Sequence, residues 1–356
     1  MTLSKKGLLA ILLPIQIILL KLLAMFPSFI ERYYSNGIYS IISKTSRYIL
    51  GWIPFSVGDI CYLLLFFMIT RWLYKNIKKI YKKEQLLTIT SFLSVIYFLF
   101  HFLWGLNYYR LPLHNSLGLE KEYTTKELII TTKSFIEKAN HIHLKTVRND
   151  SLKVSIPYNR NKIFLKTTNA YKNLENIFPE LKYQPRSIKK SILSLPLTYM
   201  GFSGYLNPFT NEAQVNYLIP KYYFPFVSCH EEAHQLGFAA ENETNFIGCL
   251  ATMSSTDLYF QYSGTVSALR YCLREVYKRD KTLYDDLLKT INKGILANYK
   301  ESRDFWDSYQ NPIEPLFKSS YDTFLKANNQ SNGIKSYSYV VALLVNYELY
   351  YSKETN

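Results

Sequence analysis

The segment 228–246, SCHEEAHQLGFAAENETNF, gathers side chains that can bind metals and move protons. It contains the pattern His230-Glu231-x-x-His234, and on a helix positions i and i+4 face the same side, so both imidazoles can bind one metal ion. Glu231 lies one step round the helix, where it can take a proton from metal-bound water. Imidazole nitrogens combined with a carboxylate favour Zn²⁺ with three protein ligands and one exchangeable position. We therefore predict zinc ligation by His230 and His234, with Glu231 as general base.

A third ligand is expected from the helix that follows, which should begin near Ala239 and offers Glu241 and Glu243. Glu241 shares its face with small or polar residues, which would let the two helices approach closely, whereas the face of Glu243 is apolar. We predict Glu241 as the ligand and keep Glu243 as the alternative. Asn245, one turn after Glu241, is expected to hydrogen-bond a ligand.

The residues around the motif also predict the limits of its helix. Pro225 suits the first turn, and Gly237 can end the helix with a left-handed cap. Glu232 is expected to be a solvated helix residue. Tyr259 and Tyr262 are weak candidates for stabilising an oxyanion.

The sequence HEEAH followed by ENETN resembles the HExxH…ExxA(D/N) signature of the gluzincin branch of zincin metallopeptidases. The resemblance implies that His230, His234 and Glu241 bind zinc, that Glu231 is the general base, and that Asn245 stands where gluzincins have a supporting aspartate. The chain also resembles an uncharacterised family of bacterial membrane proteins that carry this motif after N-terminal spans.

Two features depart from the gluzincin pattern. Only six residues separate His234 from Glu241, fewer than gluzincins usually have, and Gly237 resembles the turn of metzincins. Zincins bind extended peptide along an edge strand near the active helix. The segment 212–220, EAQVNYLIP, alternates like a half-buried strand, and it could be that edge strand or an ordinary core strand.

Three apolar windows precede the motif, and each approaches the length of about 20 residues that a membrane-spanning helix needs. They lie at about 7–26, 53–72 and 86–106. A signal peptide at the first window and a buried helical hairpin in a soluble core are the competing interpretations; the length of the apolar run and the number of windows favour spans. We predict a membrane anchor over 1–106 and one zincin-like domain over 107–356.

The formal charge of +15 supports a membrane protein rather than a nucleic-acid binder. Residues 1–106 hold twelve Lys or Arg against three Asp or Glu, and the remaining 250 residues hold thirty against twenty-four. Lys5 and Lys6 precede the first span, and a run of basic residues joins the second and third. The positive-inside rule therefore predicts a multi-pass protein of the cytoplasmic membrane whose C-terminal domain lies on the extracytoplasmic, periplasmic side.

The rest of the chain is expected to be mainly α with a small β element. A helix capped by threonine is expected in TTKELIITTKSFIEKANHI, and the last apolar segment, SYSYVVALLVNYELYY, is expected to be a core helix rather than a fourth span. The four cysteines are expected to be buried free thiols, with a bridge between Cys229 and Cys249 as the alternative. His114, His141 and His143 are expected to be solvated.

These observations predict a membrane-anchored zinc metallopeptidase whose partners are a peptide or protein substrate and the lipid bilayer. Two alternatives stay open at this point. One is a zinc-dependent hydrolase of non-peptide envelope components, and the other is a non-enzymatic membrane protein with a structural metal site, which would be closed by four protein ligands. The sequence fixes neither the substrate nor the oligomeric state.

Overall fold

The computed structural model of the chain describes residues 4–330, 333 and 339–350, and it is mainly helical with one small sheet. This confirms the coarse fold class predicted from the sequence. The α-helices of the described residues are α1 Lys5–Leu23, α2 Pro27–Phe29, α3 Tyr39–Leu50, α4 Val57–Asn76, α5 Lys83–Leu103, α6 Leu113–Ser116, α7 Thr125–Val147, α8 Arg160–Glu175, α9 Ser194–Tyr199, α10 Phe224–Gln235, α11 Glu241–Met253, α12 Leu258–Arg279, α13 Lys281–Lys289, α14 Lys293–Asp307, α15 Glu314–Ala327 and α16 Val340–Tyr350.

Three of these helices, α1, α4 and α5, are long and apolar enough to cross a membrane. Only 11% to 17% of the residues in their apolar windows are buried within the protein, so most of their apolar side chains face outward. The predicted windows were displaced by a few residues. α4 begins at Val57 because the Ser56 side chain accepts a hydrogen bond from the Asp59 N–H and caps the helix there. α5 ends at Leu103 because the backbone of Trp104 leaves the helical conformation.

The connection between α1 and α4 is helical, which the sequence analysis did not predict. It consists of α2, a π-helix over Ile30–Ile38, and α3. Its buried side chains are Ile30, Tyr34, Ser35, Tyr39, Ser43 and Arg47. Arg47 donates a hydrogen bond to the Pro185 carbonyl at 3.0 Å, and its guanidinium lies 5.0 Å from the centre of the Tyr183 ring. This connection therefore packs against residues far along the chain, on the other side of the predicted boundary at residue 106.

The sheet has three short strands, β1 Ile188–Lys190, β2 Gly204–Asn207 and β3 Glu212–Val215. β3 is central, since it pairs in parallel with β1 and antiparallel with β2. All four residues of β3 are buried. The segment predicted as a strand over 212–220 is thus a shorter core strand, and the peptide-binding alternative is wrong for it because both of its edges are paired.

A buried ion pair ties α4 to this sheet. Lys189 of β1 and Glu212 of β3 approach to 2.9 Å, and both side chains are almost fully buried. The Glu212 carboxylate also accepts hydrogen bonds from the backbone N–H groups of Val57 at 3.2 Å and Gly58 at 2.5 Å. A carboxylate at this position compensates the unpaired N–H groups and the positive dipole at the start of α4. The start of a membrane-length helix is thereby fixed to the sheet that borders the candidate site.

The main core lies around α10, α11 and α12, which pack on one another and on α7, α8 and α16. α7 begins with the expected threonine cap, a reciprocal capping box between Thr124 and Glu127. In α16 the side chains of Val340 through Val345 are buried, which confirms a core helix rather than a span. Polar Asn346 in this helix donates to the carbonyls of Glu120 and Glu122.

Two smaller predictions concern cysteines and histidines. Cys229, Cys249 and Cys272 are buried free thiols as expected, whereas Cys61 is free but exposed on α4. His141 is exposed. The prediction for His143 is wrong: its ring is buried, with Nε2 at 2.8 Å from the Leu152 carbonyl and Nδ1 at 3.1 Å from the amide of Asn292.

Candidate metal centre

Helix α10 carries the HExxH pattern and is buried along its whole length. Pro225 lies in its first turn, and Gly237 follows its end in the left-handed conformation with φ of +89°, as both residue types predict. α11 then returns alongside α10. A Cβ on Gly248 would lie 3.1 Å from the backbone nitrogen of His230, so the two helices are in close contact at this point. The predicted role of small residues on α11 is confirmed here.

The side chains of His230, His234 and Glu241 converge between these helices. The carboxylate oxygens of Glu241 lie 3.4 Å from His230 Nε2 and 3.8 Å from His234 Nε2. Metal ligands at about 2.0–2.1 Å in a tetrahedron are about 3.3 Å apart. The observed separations of 3.4 Å and 3.8 Å exceed this value by about 0.1 Å and 0.5 Å. Glu231 lies close to both histidines. One possible ligand atom of Glu231, one of His230 and one of His234 all lie within 4.8 Å of one another.

The pKa values of Glu241, His234 and His230 favour a cation between these three side chains. Burial alone would raise the pKa of Glu241, but its hydrogen bond to His230 and the charges of both histidines hold that pKa at about 2. Burial lowers the pKa of His234 to about 4, so its imidazole is neutral at pH 7, as a metal ligand must be. For His230, the lowering by burial is outweighed by Glu241 and Glu231, and its pKa is raised. The carboxylates thus attract positive charge to this position.

Both histidines have contacts that orient their rings. His234 Nδ1 lies 2.8 Å from the Phe238 carbonyl, which leaves Nε2 to face Glu241. His230 Nδ1 and Asn245 Nδ2 are buried without a hydrogen-bond partner in the described parts of the chain, although the Asn245 amide interacts with His230. In the present orientation of the Asn245 amide, its Oδ1 accepts a hydrogen bond from the Tyr271 hydroxyl at 2.9 Å. If the amide is turned by 180°, its oxygen and nitrogen exchange places. Oδ1 can then accept from His230 Nδ1, and Nδ2 can donate to the Tyr271 hydroxyl. Asn245 is therefore placed to support His230.

Glu241 is held from two directions. It is the first residue of α11, where unpaired backbone N–H groups favour a carboxylate. From the other side, the Tyr321 hydroxyl of α15 donates a hydrogen bond to Oε1 at 2.5 Å. Tyr321 was not among the predicted site residues because it lies 80 positions from Glu241 and belongs to no motif.

The Glu231 carboxylate lies in a narrow space beside strand β2. A Cβ on Gly204 would come within 2.5 Å of Glu231 Oε1, so a residue larger than glycine would displace the carboxylate. Oε2 has no hydrogen-bond partner among the residues described. Burial raises the pKa of Glu231 to about 8, against the opposing charge of His230. A carboxylate with such a pKa is suited to proton transfer near neutral pH.

The other two glutamates of the segment lie outside the centre. Glu243, the alternative ligand, accepts a hydrogen bond from the Leu113 N–H at 2.7 Å, and burial raises its pKa to about 7. The structure therefore brings Glu241 to the histidines and not Glu243. Glu232 is fully buried and accepts a hydrogen bond from the Thr167 hydroxyl at 2.6 Å. The prediction of a solvated Glu232 is wrong, because α8 covers this side of α10.

The C-terminal carbonyls of α10 are satisfied by side chains from the first 106 residues. Ser43 donates to the Gln235 carbonyl at 2.7 Å, and Tyr39 donates to the same carbonyl at 3.1 Å. The Trp104 indole lies 3.4 Å from the His234 carbonyl. The last carbonyls of a helix have no partner within it, so these contacts replace water at the end of α10. They also fix the turn that carries His234.

A cavity of about 1110 Å³ opens onto the centre. The site residues that line it are His230, Glu231, His234, Glu241 and Asn245. Neither Tyr259 nor Tyr262 lines it. Tyr262 is buried and donates to Asn298 at 2.7 Å, and Tyr259 packs on Tyr158, so their proposed oxyanion role is wrong. The tyrosines that do line it include Tyr271 and Tyr321.

Strand β2 was also missed, because GYLN does not alternate between apolar and polar residues. A usable signal was the clustering of glycine and serine in GFSG, which marks close backbone approach. β2 forms one edge of the sheet and lines the cavity through Gly204, Tyr205 and Leu206. Within the described residues, the side of β2 away from β3 has no strand partner.

One family model, described as a protein of unknown function (DUF3810), matches residues 34–345. The match covers α3, both later membrane-length helices, the sheet and every residue of the centre. No curated protein matches the chain, and no solved structure matches it.

Proposed function

We propose that this chain, which belongs to the DUF3810 family of proteins of unknown function, is a membrane-anchored zinc-dependent peptidase of the gluzincin type. The observation that carries the proposal is the convergence of His230, His234 and Glu241 at near-tetrahedral separations, with Glu231 beside them in a cavity. Two imidazoles and one carboxylate around an open position are the donor set of a catalytic zinc.

The residues of the chain divide the chemistry of amide hydrolysis between them. Bound zinc would lower the pKa of a coordinated water and polarise the substrate carbonyl. Glu231 would take a proton from the attacking water and pass it to the leaving nitrogen. The amide C–N bond breaks, and the water supplies the hydroxyl of the new acid and the proton of the new amine. The free edge of β2, next to Glu231, would align an extended peptide by strand addition.

A structural metal site is less consistent with this arrangement. Structural zinc sites are closed by four protein ligands. Here the three candidate ligands face a cavity of about 1110 Å³, from which a water molecule can reach a metal held between them. An open coordination position supports hydrolysis rather than a metal clip.

We also propose that the site lies on the extracytoplasmic side of the cytoplasmic membrane. Between α4 and α5 the chain carries Arg71, Lys75, Lys78, Lys79, Lys82 and Lys83, and Lys5 and Lys6 precede α1. These charges favour the cytoplasmic side, and three crossings then place the candidate site outside. In Lys281→Cys, an impermeant thiol reagent should label the new cysteine in intact spheroplasts. Labelling only after permeabilisation would refute this topology.

The test of the general base compares Glu231→Gln with Glu232→Gln. Purified full-length protein is incubated with zinc and a random peptide library, and cleavage and bound zinc are both measured. Glu231→Gln should bind zinc and cleave nothing, because its amide cannot accept the proton. Glu232→Gln is a matched control, since this neighbouring buried side chain lies outside the cavity and burial raises its pKa to about 8. It should retain cleavage. Equal cleavage by both variants would refute the assignment.

The test of the third ligand compares metal content in Glu241→Ala and Glu243→Ala. The first variant should lose zinc, because Glu241 contributes one of three ligands. The second should keep zinc, because the Glu243 carboxylate is bonded to the Leu113 backbone. The opposite pattern would show that the ligand was wrongly assigned.

A further inference from the structure

The cavity connects the candidate centre to the membrane-length helices through an aromatic wall. Phe100 of α5 lies 6.2 Å from Trp104, centre to centre, and Trp104 lies 6.1 Å from the His234 ring. Phe324 of α15 faces Phe100 across 5.9 Å. All four side chains line the cavity. An apolar surface therefore runs without interruption from α5 to a proposed zinc ligand.

The cavity wall contacts α4 and α5 at similar distances from the ends of these helices. Phe100 is three residues before the end of α5, and Tyr62, which also lines the cavity, is five residues after the start of α4. At about 1.5 Å per residue, both lie within about 8 Å of the helix ends that face the candidate site. In the proposed topology these are the outer ends of both spans. The cavity thus reaches the depth at which the interface gives way to hydrocarbon.

Helix α15 shows that the cavity is polar on one side of the centre and apolar on the other. Lys318, Tyr321 and Phe324 are spaced three apart on one face of this helix, and all three line the cavity. Tyr321 contacts Glu241, Phe324 contacts Phe100, and Lys318 lies about 9 Å along the axis from Phe324. A substrate bound across the centre would therefore have an apolar end toward α5 and a polar end toward Lys318.

The volume limits the shape of the apolar end. Two turns of an α-helix about 11 Å in diameter occupy about 1000 Å³. The cavity of about 1110 Å³ would have to hold such a bulky group beside the extended segment that crosses the centre. A linear hydrocarbon chain is much thinner and can share the space with an extended peptide.

We propose that the substrate is an acylated peptide whose hydrocarbon chain lies in the cavity against the wall formed by Phe100, Trp104 and Phe324, while its peptide part crosses the proposed zinc centre. This inference rests on the proposed hydrolytic function. The acyl chain would enter from the outer leaflet, and the amide to be cleaved would lie within a few residues of the chain. An apolar helix and an unmodified soluble peptide are the alternative substrates.

The test uses an N-acetylated peptide library and the same library carrying an N-hexanoyl group, with zinc-loaded full-length protein in detergent. The hexanoyl group adds four methylenes, and each buried methylene is worth about fourfold in binding. We expect kcat/KM to rise at least about tenfold, below the ceiling of about 200-fold that four methylenes allow.

The matched variants are Phe324→Ser and Phe317→Ser, which lie on the same helix and have nearly equal exposure, 37% and 38%. Only Phe324 lines the cavity. Phe324→Ser should lose the preference for hexanoyl peptides and still bind zinc, whereas Phe317→Ser should keep it. Equal turnover of the two libraries, or an equal effect of the two substitutions, would overturn the acyl-chain proposal while leaving the peptidase intact.

A binding measurement separates this proposal from the hydrolytic one. A peptide whose acyl chain ends in a photoreactive diazirine is irradiated with Glu231→Gln protein, and the attachment sites are mapped by mass spectrometry. Attachment at Phe100, Trp104 or Phe324 without cleavage by the parent chain would support the acyl site and refute the peptidase. Attachment elsewhere, with soluble peptides cleaved, would refute the acyl site alone.

Discussion

The hydrogen bond from Tyr321 to Glu241 gives the sharpest test of the candidate centre. Tyr321→Phe removes one oxygen and keeps the ring, which packs against Phe202 and Phe324. The bond is short, at 2.5 Å, and its acceptor is a buried carboxylate. Hydrogen bonds to charged groups contribute about 1.5–3 kcal/mol, which corresponds to roughly 10- to 100-fold in equilibrium. We expect zinc affinity to fall by that factor.

Tyr321→Phe could weaken zinc binding in two ways: the pKa of Glu241 could rise until protons compete with zinc, or the Glu241 carboxylate could move away from the histidines. The pKa of Glu241 distinguishes between these two mechanisms. The pKa of Glu241 is about 2. Even if losing the bond raised it by about 2 units, only about one carboxylate in a thousand would be protonated at pH 7. Protonation of Glu241 is therefore negligible, and we expect the loss to come from a carboxylate that is no longer held toward the histidines. The ratio of affinities between variant and parent should be the same at pH 7 and pH 8.

The assay is competition for zinc between the full-length protein and a chelating dye. Tyr277→Phe is the control, since this ring is about half exposed and lies outside the cavity, and it should bind zinc like the parent. Unchanged zinc affinity in Tyr321→Phe would refute the reasoning that Glu241 is a ligand held by this bond.

Three further predictions follow from the same contacts. Removing zinc with a chelator should lower the melting temperature by roughly 5–10 °C in calorimetry, because a ligand at 100 times its Kd stabilises a protein by about 2.7 kcal/mol; an unchanged melting temperature would contradict a bound metal. Gly204→Ala should reduce kcat by about 100-fold and leave zinc content unchanged, because its Cβ would lie 2.5 Å from Glu231 Oε1 and 2.7 Å from the Gln214 carbonyl, so that the carboxylate and strand β2 must both shift; full activity would show that Glu231 does not need this position. Lys189→Met should destabilise the fold by about 3–5 kcal/mol in thermal unfolding, because the buried Glu212 carboxylate would lose its cationic partner and keep only its hydrogen bonds; a loss no larger than that of Lys300→Met, which breaks an exposed pair, would contradict this.

Local chemistry was sufficient to predict the core of the centre. The four-residue spacing of His230 and His234 determined their common face, Gly237 determined the end of their helix, and the small residues beside Glu241 distinguished it from Glu243. Each of these inferences depends on neighbours within about two helical turns, where helix geometry fixes which side chains meet.

The parts that the sequence did not reveal depend on distant contacts. Glu232 has the same residue type as Glu231, and only the packing of α8 makes it buried rather than solvated. Tyr321, Tyr39 and Trp104 reach the centre through tertiary packing across 80 or more residues. The four residues of β2 are too few for a periodic pattern to identify a strand.

The contacts at the end of α10 also bear on whether the C-terminal part of the chain would keep its fold if it were cut from the membrane-length helices. Proteolytic cleavage just after Trp104 would remove Tyr39, Ser43 and Trp104. The Gln235 carbonyl would lose both of its side-chain donors, whereas the His234 carbonyl would keep the Gly237 N–H at 2.9 Å. Each unmade bond to a buried group costs about 1–3 kcal/mol, against a total stability of about 5–15 kcal/mol for a typical protein. A fragment without the first 104 residues would thus be less stable at the last turn of α10, which carries His234.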